Sequence, residues 1–134
     1  MSAPPDQRLV DARVVRLATV TPAGRPHLVP CCIALDGDRL VTVVDAKPKS
    51  TLALRRLDNI RAHPAVTVLA DHYDDTDWSQ LWWVRVDGTA EVVEHGPTRD
   101  TAVAALAAKY PQYREQPPPG AVIAITPTTW RAWP

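Results

Sequence analysis

The sequence predicts an α+β fold, mainly β, in which an antiparallel sheet or barrel is flanked by short helices. Three observations carry this. Six segments are rich in β-branched residues or alternate apolar with polar side chains: 14–21, 27–35, 39–44, 65–70, 81–94 and 121–130. Compact turn signals, Thr21-Pro22-Ala23-Gly24-Arg25-Pro26 and Asp36-Gly37-Asp38, join neighbouring segments, and turns that tight connect antiparallel strands. The helical patterns fall between groups of strands and not after every strand, which argues against a doubly wound parallel sheet.

In chain order, Asp6 to Arg13 reads as a short amphipathic helix with Leu9, Val10 and Val14 along one side. Three strands follow, Val14 to Thr21, His27 to Leu35 and Arg39 to Val44. The loop from Asp45 to Ser50 leads into a helix from Thr51 to Arg61, which His63-Pro64 stops. Ala65 to Ala70 is a strand, Asp71 to Ser79 an acidic irregular stretch, and Leu81 to Glu94 a long strand bent at Asp87-Gly88. Pro97 opens a helix that runs to Tyr110. Pro111 to Gly120 is a proline-rich connection, and Ala121 to Trp130 the last strand.

The 134 residues fit a single domain spanning 1–134. A formal net charge of zero speaks against a nucleic-acid binder, which carries a basic excess. The polar start and the absence of a long apolar run predict a cytoplasmic protein with no membrane span. The two cysteines, Cys31 and Cys32, are adjacent, so on a strand they point to opposite faces. Either one thiol faces a cavity or partner, or both are small buried hydrophobes. No metal site is expected. The acidic run Asp71, Asp74, Asp75 and Asp77 lacks the glycine and closing glutamate of a calcium loop, and the four histidines show no ligand spacing.

The chain has twelve arginines and only three lysines, and two of those, Lys47 and Lys49, lie within three positions. Lys47-Pro48-Lys49-Ser50-Thr51 precedes Leu52-Ala53-Leu54-Arg55-Arg56-Leu57, placing cations and hydroxyls where a helix begins. Unpaired N–H groups and the helix dipole favour an anion there, and Lys and Arg add charge-assisted bonds to phosphate oxygens. Lys47, Lys49, Ser50, Thr51, Arg55 and Arg56 are therefore candidate phosphate ligands; a solvated basic helix end is the alternative. On a helical wheel Ala53, Leu54, Leu57 and Ile60 form the apolar stripe. Arg56 borders it, near Lys49, while Arg55 lies opposite.

The segment from Leu17-Ala18-Thr19-Val20 through Gly24 to Pro30 resembles the opening hairpin of the pyridoxamine phosphate oxidase-like split β-barrels. Arg55-Arg56…Ile60…His63-Pro64 is similar to that family's basic pair, apolar residue and closing Asn-Pro, with Arg for Lys and His for Asn. Asp71 to Trp78, with Leu81-Trp82-Trp83-Val84-Arg85-Val86-Asp87-Gly88, resembles an actinobacterial branch assigned to the deazaflavin coenzyme F420. The resemblance runs from about Leu17 to Glu94, with a barrel-closing strand near 122–130.

It implies an antiparallel split β-barrel that forms a homodimer, with two cofactors at the subunit interface. The isoalloxazine-like ring would lie against Val29, Pro30, Cys31 and Cys32, its phosphate in the basic cradle. Trp78, Trp82 and Trp83 are candidates to line the dimer groove, Trp78 and Trp83 among the cofactor-binding residues, with core packing the alternative. The implied activity is an oxidoreductase passing hydride from the reduced deazaflavin to a small conjugated organic substrate. FMN chemistry is the alternative, and a non-catalytic flavin or deazaflavin carrier is a third reading. The sequence identifies no catalytic residue of its own.

Overall fold

The computed structural model describes residues 5–44 and 51–134, the side chains of 51–54 excepted. Among these residues the order is α1 (Gln7–Asp11), β1 (Val15–Val20), β2 (Pro26–Cys31), β3 (Ala34–Asp36), β4 (Arg39–Val43), α2 (Thr51–Ala62) and β5 (Ala65–His72). A 3-10 turn (Trp78–Gln80) leads to β6 (Trp82–Val93), α3 (Pro97–Lys109), α4 (Pro111–Glu115) and β7 (Val122–Trp133). The strands form one antiparallel sheet in the order β2-β1-β5-β6-β7-β4-β3. This is the split β-barrel that the sequence resemblance implies. β2 and β3, adjacent in the chain, are the two outer strands of that order, and the Thr42 side chain on β4 acts across the seam to lower the pKa of the Cys31 thiol.

The single strand expected from His27 to Leu35 is in fact two, broken at Cys32-Ile33. The chain must cross there from one edge of the sheet to the other, and the backbone of Ile33 finds partners outside any ladder. Its N–H donates to Tyr110 Oη at 3.2 Å, and its carbonyl accepts from Lys109 Nζ at 2.7 Å. Lys109 also donates to the carbonyls of Val10 and Ala12, each at 2.7 Å, and the Tyr110 hydroxyl donates to that of Arg13 at 2.9 Å. The end of α3 thus ties α1 and its linker to the β2–β3 crossing. The connection expected from Pro111 to Gly120 begins instead as α4, because proline is tolerated in a helix's first turn.

The bend expected at Asp87-Gly88 is present. Asp87 pairs with Thr129 but Gly88 with Pro127, so Thr128 bulges from β7, its hydroxyl donating to Asp87 O at 2.9 Å. A Cβ on Gly88 would stand 2.7 Å from Thr126 O, so only glycine admits this crossing.

Two apolar layers result. Inside the barrel, Leu17, Leu40, Val68, Val86 and Ile125 are buried together, with Leu57 and Ile60 of α2 closing over them. A second cluster seals α3, through Ala102, Leu106 and Tyr110, to the outer side of β3, β4 and β7, through Ala34, Val41 and Val122. Among the described residues, no element packs on the outer face of β1, β5 and the start of β6 in the same way.

Candidate functional site

Two regions carry polar groups that the fold itself does not use. The first is the seam. α2 places Arg55 in solvent and Arg56 half-buried, with the Arg56 Nε enclosed and without a hydrogen-bond partner among the described residues. No carboxylate pairs with Arg56 among the described residues. Its charge reaches the Cys31 thiol; burial pushes that thiol's pKa up, with the Thr42 hydroxyl and Arg56 opposing. One turn further along α2, buried Asn59 donates to Thr19 Oγ1 at 3.0 Å. Thr19 pairs with His27 on β2, and the His27 Nδ1 is likewise enclosed without a partner. An enclosed donor left unpaired is costly, so Arg56 Nε is the natural point for an anion to enter. The residues present therefore fit a phosphate-bearing group at this seam.

The expected site residues are distributed as follows. Val29 and Cys31 pack on the barrel core, Cys32 packs on the α3 cluster, and Pro30 points outward, paired with Arg16. Thr51 is the first residue of α2. Lys47, Lys49 and Ser50 lie outside the described residues. The structure thus brings Cys31 and Arg56 together. Trp83 belongs to the second region, and Trp78 sits in the 3-10 turn, 70% exposed.

That second region is an open groove of about 600 Å³ on the uncovered sheet face, walled by Leu28, Leu69, Tyr73, Trp83 and Trp133 and edged by Arg16 and Arg85. The strand register explains it. Pro30, Arg16, Leu69, Arg85 and Arg131 form one row across five strands, and Asp71, Trp83 and Trp133 form the next. Arg85 lies with its guanidinium 5.8 Å from the Trp83 ring centre and 3.8 Å from Asp87. Its Nε is enclosed without a hydrogen bond. Arg16 and Arg131 have no ion pair among the described residues. Sequence reasoning missed this row and His27. Alternation alone shows that Arg16 and Arg85 face outward, and only the pairing shows that they align.

The family model described as pyridoxamine 5'-phosphate oxidase matches residues 6–134. No curated protein is similar enough in sequence to count as a relative. Among solved structures, the conserved hypothetical protein Rv2991 from Mycobacterium tuberculosis is 24% identical with a TM-score of 0.74, over 95% of this chain and 80% of that one. An F420 reductase is 24% identical with a TM-score of 0.67, over 97% and 98%. HutZ, the heme storage protein from Vibrio cholerae, is 16% identical with a TM-score of 0.73, over 95% and 89%. At these identities the likenesses speak to the fold.

Proposed function

Because the chain belongs to the pyridoxamine 5'-phosphate oxidase family, we propose that it binds a phosphorylated flavin-type cofactor at the seam and works as an oxidoreductase on a small conjugated organic substrate. The cofactor in this reading is the deazaflavin coenzyme F420, with FMN as the alternative. The observation that carries it is the enclosed, unpartnered Nε of Arg56 beside Cys31. When bound, the cofactor supplies the hydride chemistry; the chain's own residues hold it, orient it and keep water away.

In this reading Arg56 takes a phosphate oxygen through a charge-assisted bond. Lys47, Lys49, Ser50, Thr51 and, more peripherally, Arg55 complete the cradle at the loop-to-helix junction. The backbone from Val29 to Cys32 supports the ring. The Cys31 thiol, its pKa pushed up by burial, presents an uncharged wall there. Trp78 and Trp83, on the exposed side of the molecule, close over the cofactor from a second subunit of a homodimer. The preference for F420 rests on the resemblance of residues 71–88 and on the likeness to an F420 reductase. Likeness to a heme storage protein favours a carrier without catalysis as the second reading. No helix among the described residues is long and apolar enough to cross a membrane, and we place the protein in the cytoplasm.

Fluorescence titration of the purified protein with F420 and, separately, with FMN tests the reading. F420 should bind, and Arg56→Ala should weaken it at least ~10-fold, the loss of one charged hydrogen bond. Arg55→Ala should leave affinity within roughly a factor of two, as for an exposed cation. Equal affinity of wild type and Arg56→Ala would sink the cradle, and binding of FMN alone would sink the deazaflavin. A carrier would hold the reduced cofactor without oxidising it when enone or tetrapyrrole acceptors are added.

A further inference from the structure

Two arginines in the groove serve neither the barrel nor the seam. Arg16 and Arg85 flank Leu69 on the outward row, each paired with it from a neighbouring strand. Adjacent strands lie ~4.8 Å apart, which puts the two backbones about 10 Å apart and lets both long side chains converge above Leu69. Arg131 stands directly opposite Arg85 on β7, and like charges so placed disfavour the sheet. Arg16 and Arg131 have no ion pair among the described residues, and Asp87 stands 3.8 Å from Arg85 Nε. That Nε is enclosed, yet it donates no hydrogen bond among those residues. Positive charge gathered in a concave site without a counter-ion attracts an anion.

The rest of the groove describes the body of that anion. Leu28, Tyr73, Trp83 and Trp133 wall about 600 Å³, a volume that suits a small organic molecule. Leu28 is 66% exposed, Tyr73 61% and Trp133 51%, apolar surface that a flat hydrocarbon would cover. The Arg85 guanidinium lies 5.8 Å from the Trp83 ring centre, so charge and aromatic wall adjoin. Asp71 borders the groove one row further along, paired with Trp83, and has no ion pair among the described residues. Its charge repels an acid at that end, which leaves one orientation: acid toward Arg16 and Arg85, flat body over the tryptophans. Two guanidiniums above an apolar floor donate from one side, which suits the two oxygens of a carboxylate better than the three of a phosphate.

We infer that the groove takes the substrate and that the substrate is a conjugated organic acid, a planar unsaturated or aryl group whose carboxylate Arg16 and Arg85 hold above Leu69. The guanidiniums bind the acid end, and Trp83 packs on the flat part. This substrate class rests on the proposed function and narrows it. In the proposed pair Trp83 faces the cofactor of the partner subunit. An acid seated in the groove therefore presents its unsaturated part to that ring while its charge stays at the arginines. An uncharged isostere leaves the two guanidiniums without an acceptor, and selectivity comes from that loss.

Calorimetric titration of the full chain with cinnamate and, separately, with its uncharged amide, cinnamamide, tests it. Cinnamate should bind at least ~10-fold more tightly, the worth of a charged hydrogen bond, and added salt should narrow the difference. Arg16→Gln and Arg85→Gln, each folded by circular dichroism, should weaken cinnamate ~10-fold or more and leave cinnamamide within roughly a factor of two. Arg56→Ala, at the seam, should leave cinnamate affinity unchanged. Equal affinity for acid and amide, or full cinnamate affinity in both glutamine variants, overturns the acid site. Loss of cinnamate binding in Arg56→Ala puts the anion at the seam and overturns the groove. With F420 bound, cinnamate should alter the cofactor's emission; an unaltered emission overturns the substrate role. The proposed function fails separately: if neither F420 nor FMN binds while cinnamate still depends on Arg16 and Arg85, the cofactor reading falls and the acid site stands.

Discussion

Lys109→Met tests the tie that holds the β2–β3 crossing. The ammonium donates to three carbonyl oxygens, those of Val10, Ala12 and Ile33, each at 2.7 Å. Methionine keeps most of the apolar stem and removes every donor. Losing partners at about 1 kcal/mol each gives about 3 kcal/mol. Against that, the ammonium is itself poorly solvated: burial, then the nearby Arg13, push its pKa down to about 8, with Asp11 and Cys32 opposing. Removing it returns roughly 1 kcal/mol, for a net loss of about 2 kcal/mol and a Tm lower by roughly 7 °C.

The pH dependence has a definite sign. With the folded pKa below the unfolded value, the unfolded chain binds more protons above pH 8. The wild type therefore gains stability relative to the variant as pH rises from about 8 toward 9.5, below the raised pKa of the neighbouring Tyr110. Urea unfolding of both proteins at several pH values measures this. A variant within about 0.5 kcal/mol of wild type would refute the tie, and a gap that narrows across that window would refute the lowered pKa of Lys109.

Two further outcomes follow from the barrel and the seam. Gly88→Ala places a Cβ 2.7 Å from Thr126 O and 2.9 Å from Ile125 Cγ2, so thermal unfolding should show a loss of about 2 kcal/mol from overpacking. Thr42→Val removes the hydroxyl that opposes the effect of burial at Cys31. The pH profile of Cys31 alkylation, read by mass spectrometry of the labelled peptide, should then move to higher pH, and an unmoved profile would show that the hydroxyl does not act on the thiol.

The strands were legible where alternation was clean. On β1, Val15, Leu17 and Thr19 are buried and Arg16 is exposed, as period two demands. The bulge was legible because a glycine marks it. The break at Cys32-Ile33 was not, since no glycine, asparagine or other turn residue stands there. What decides it are bonds from Lys109 and Tyr110, 76 and 77 positions away. In the same way α4 was hidden by its own prolines, Pro111 at its start and Pro117-Pro118-Pro119 beyond its end. Of the candidate site, the helical wheel correctly turned Arg56 inward and Arg55 to solvent, because heptad geometry is local. The arginine row needed the register of four strands, which no local pattern contains.

The filled interior links the proposed cofactor site to the proposed pairing of subunits. Leu17, Val68, Val86, Ile123 and Ile125 are all but inaccessible to solvent, so the barrel has no lumen for a ring system, as small barrels generally do not. In the proposed reading a planar cofactor anchored at Arg56 lies outside the barrel against the seam, supported by the backbone of β2. Nothing among the described residues of the same chain is placed to cover its other face: the outer side of β3, β4 and β7 is taken by α3, and the remaining apolar surface looks outward from β1, β5 and β6. In the proposed reading a second molecule carrying that surface supplies the wall and excludes water from the cofactor. On this argument pairing and cofactor retention are coupled. Dilution that separates paired chains should weaken deazaflavin binding even though Arg56 is untouched, and an affinity independent of chain concentration would refute the coupling.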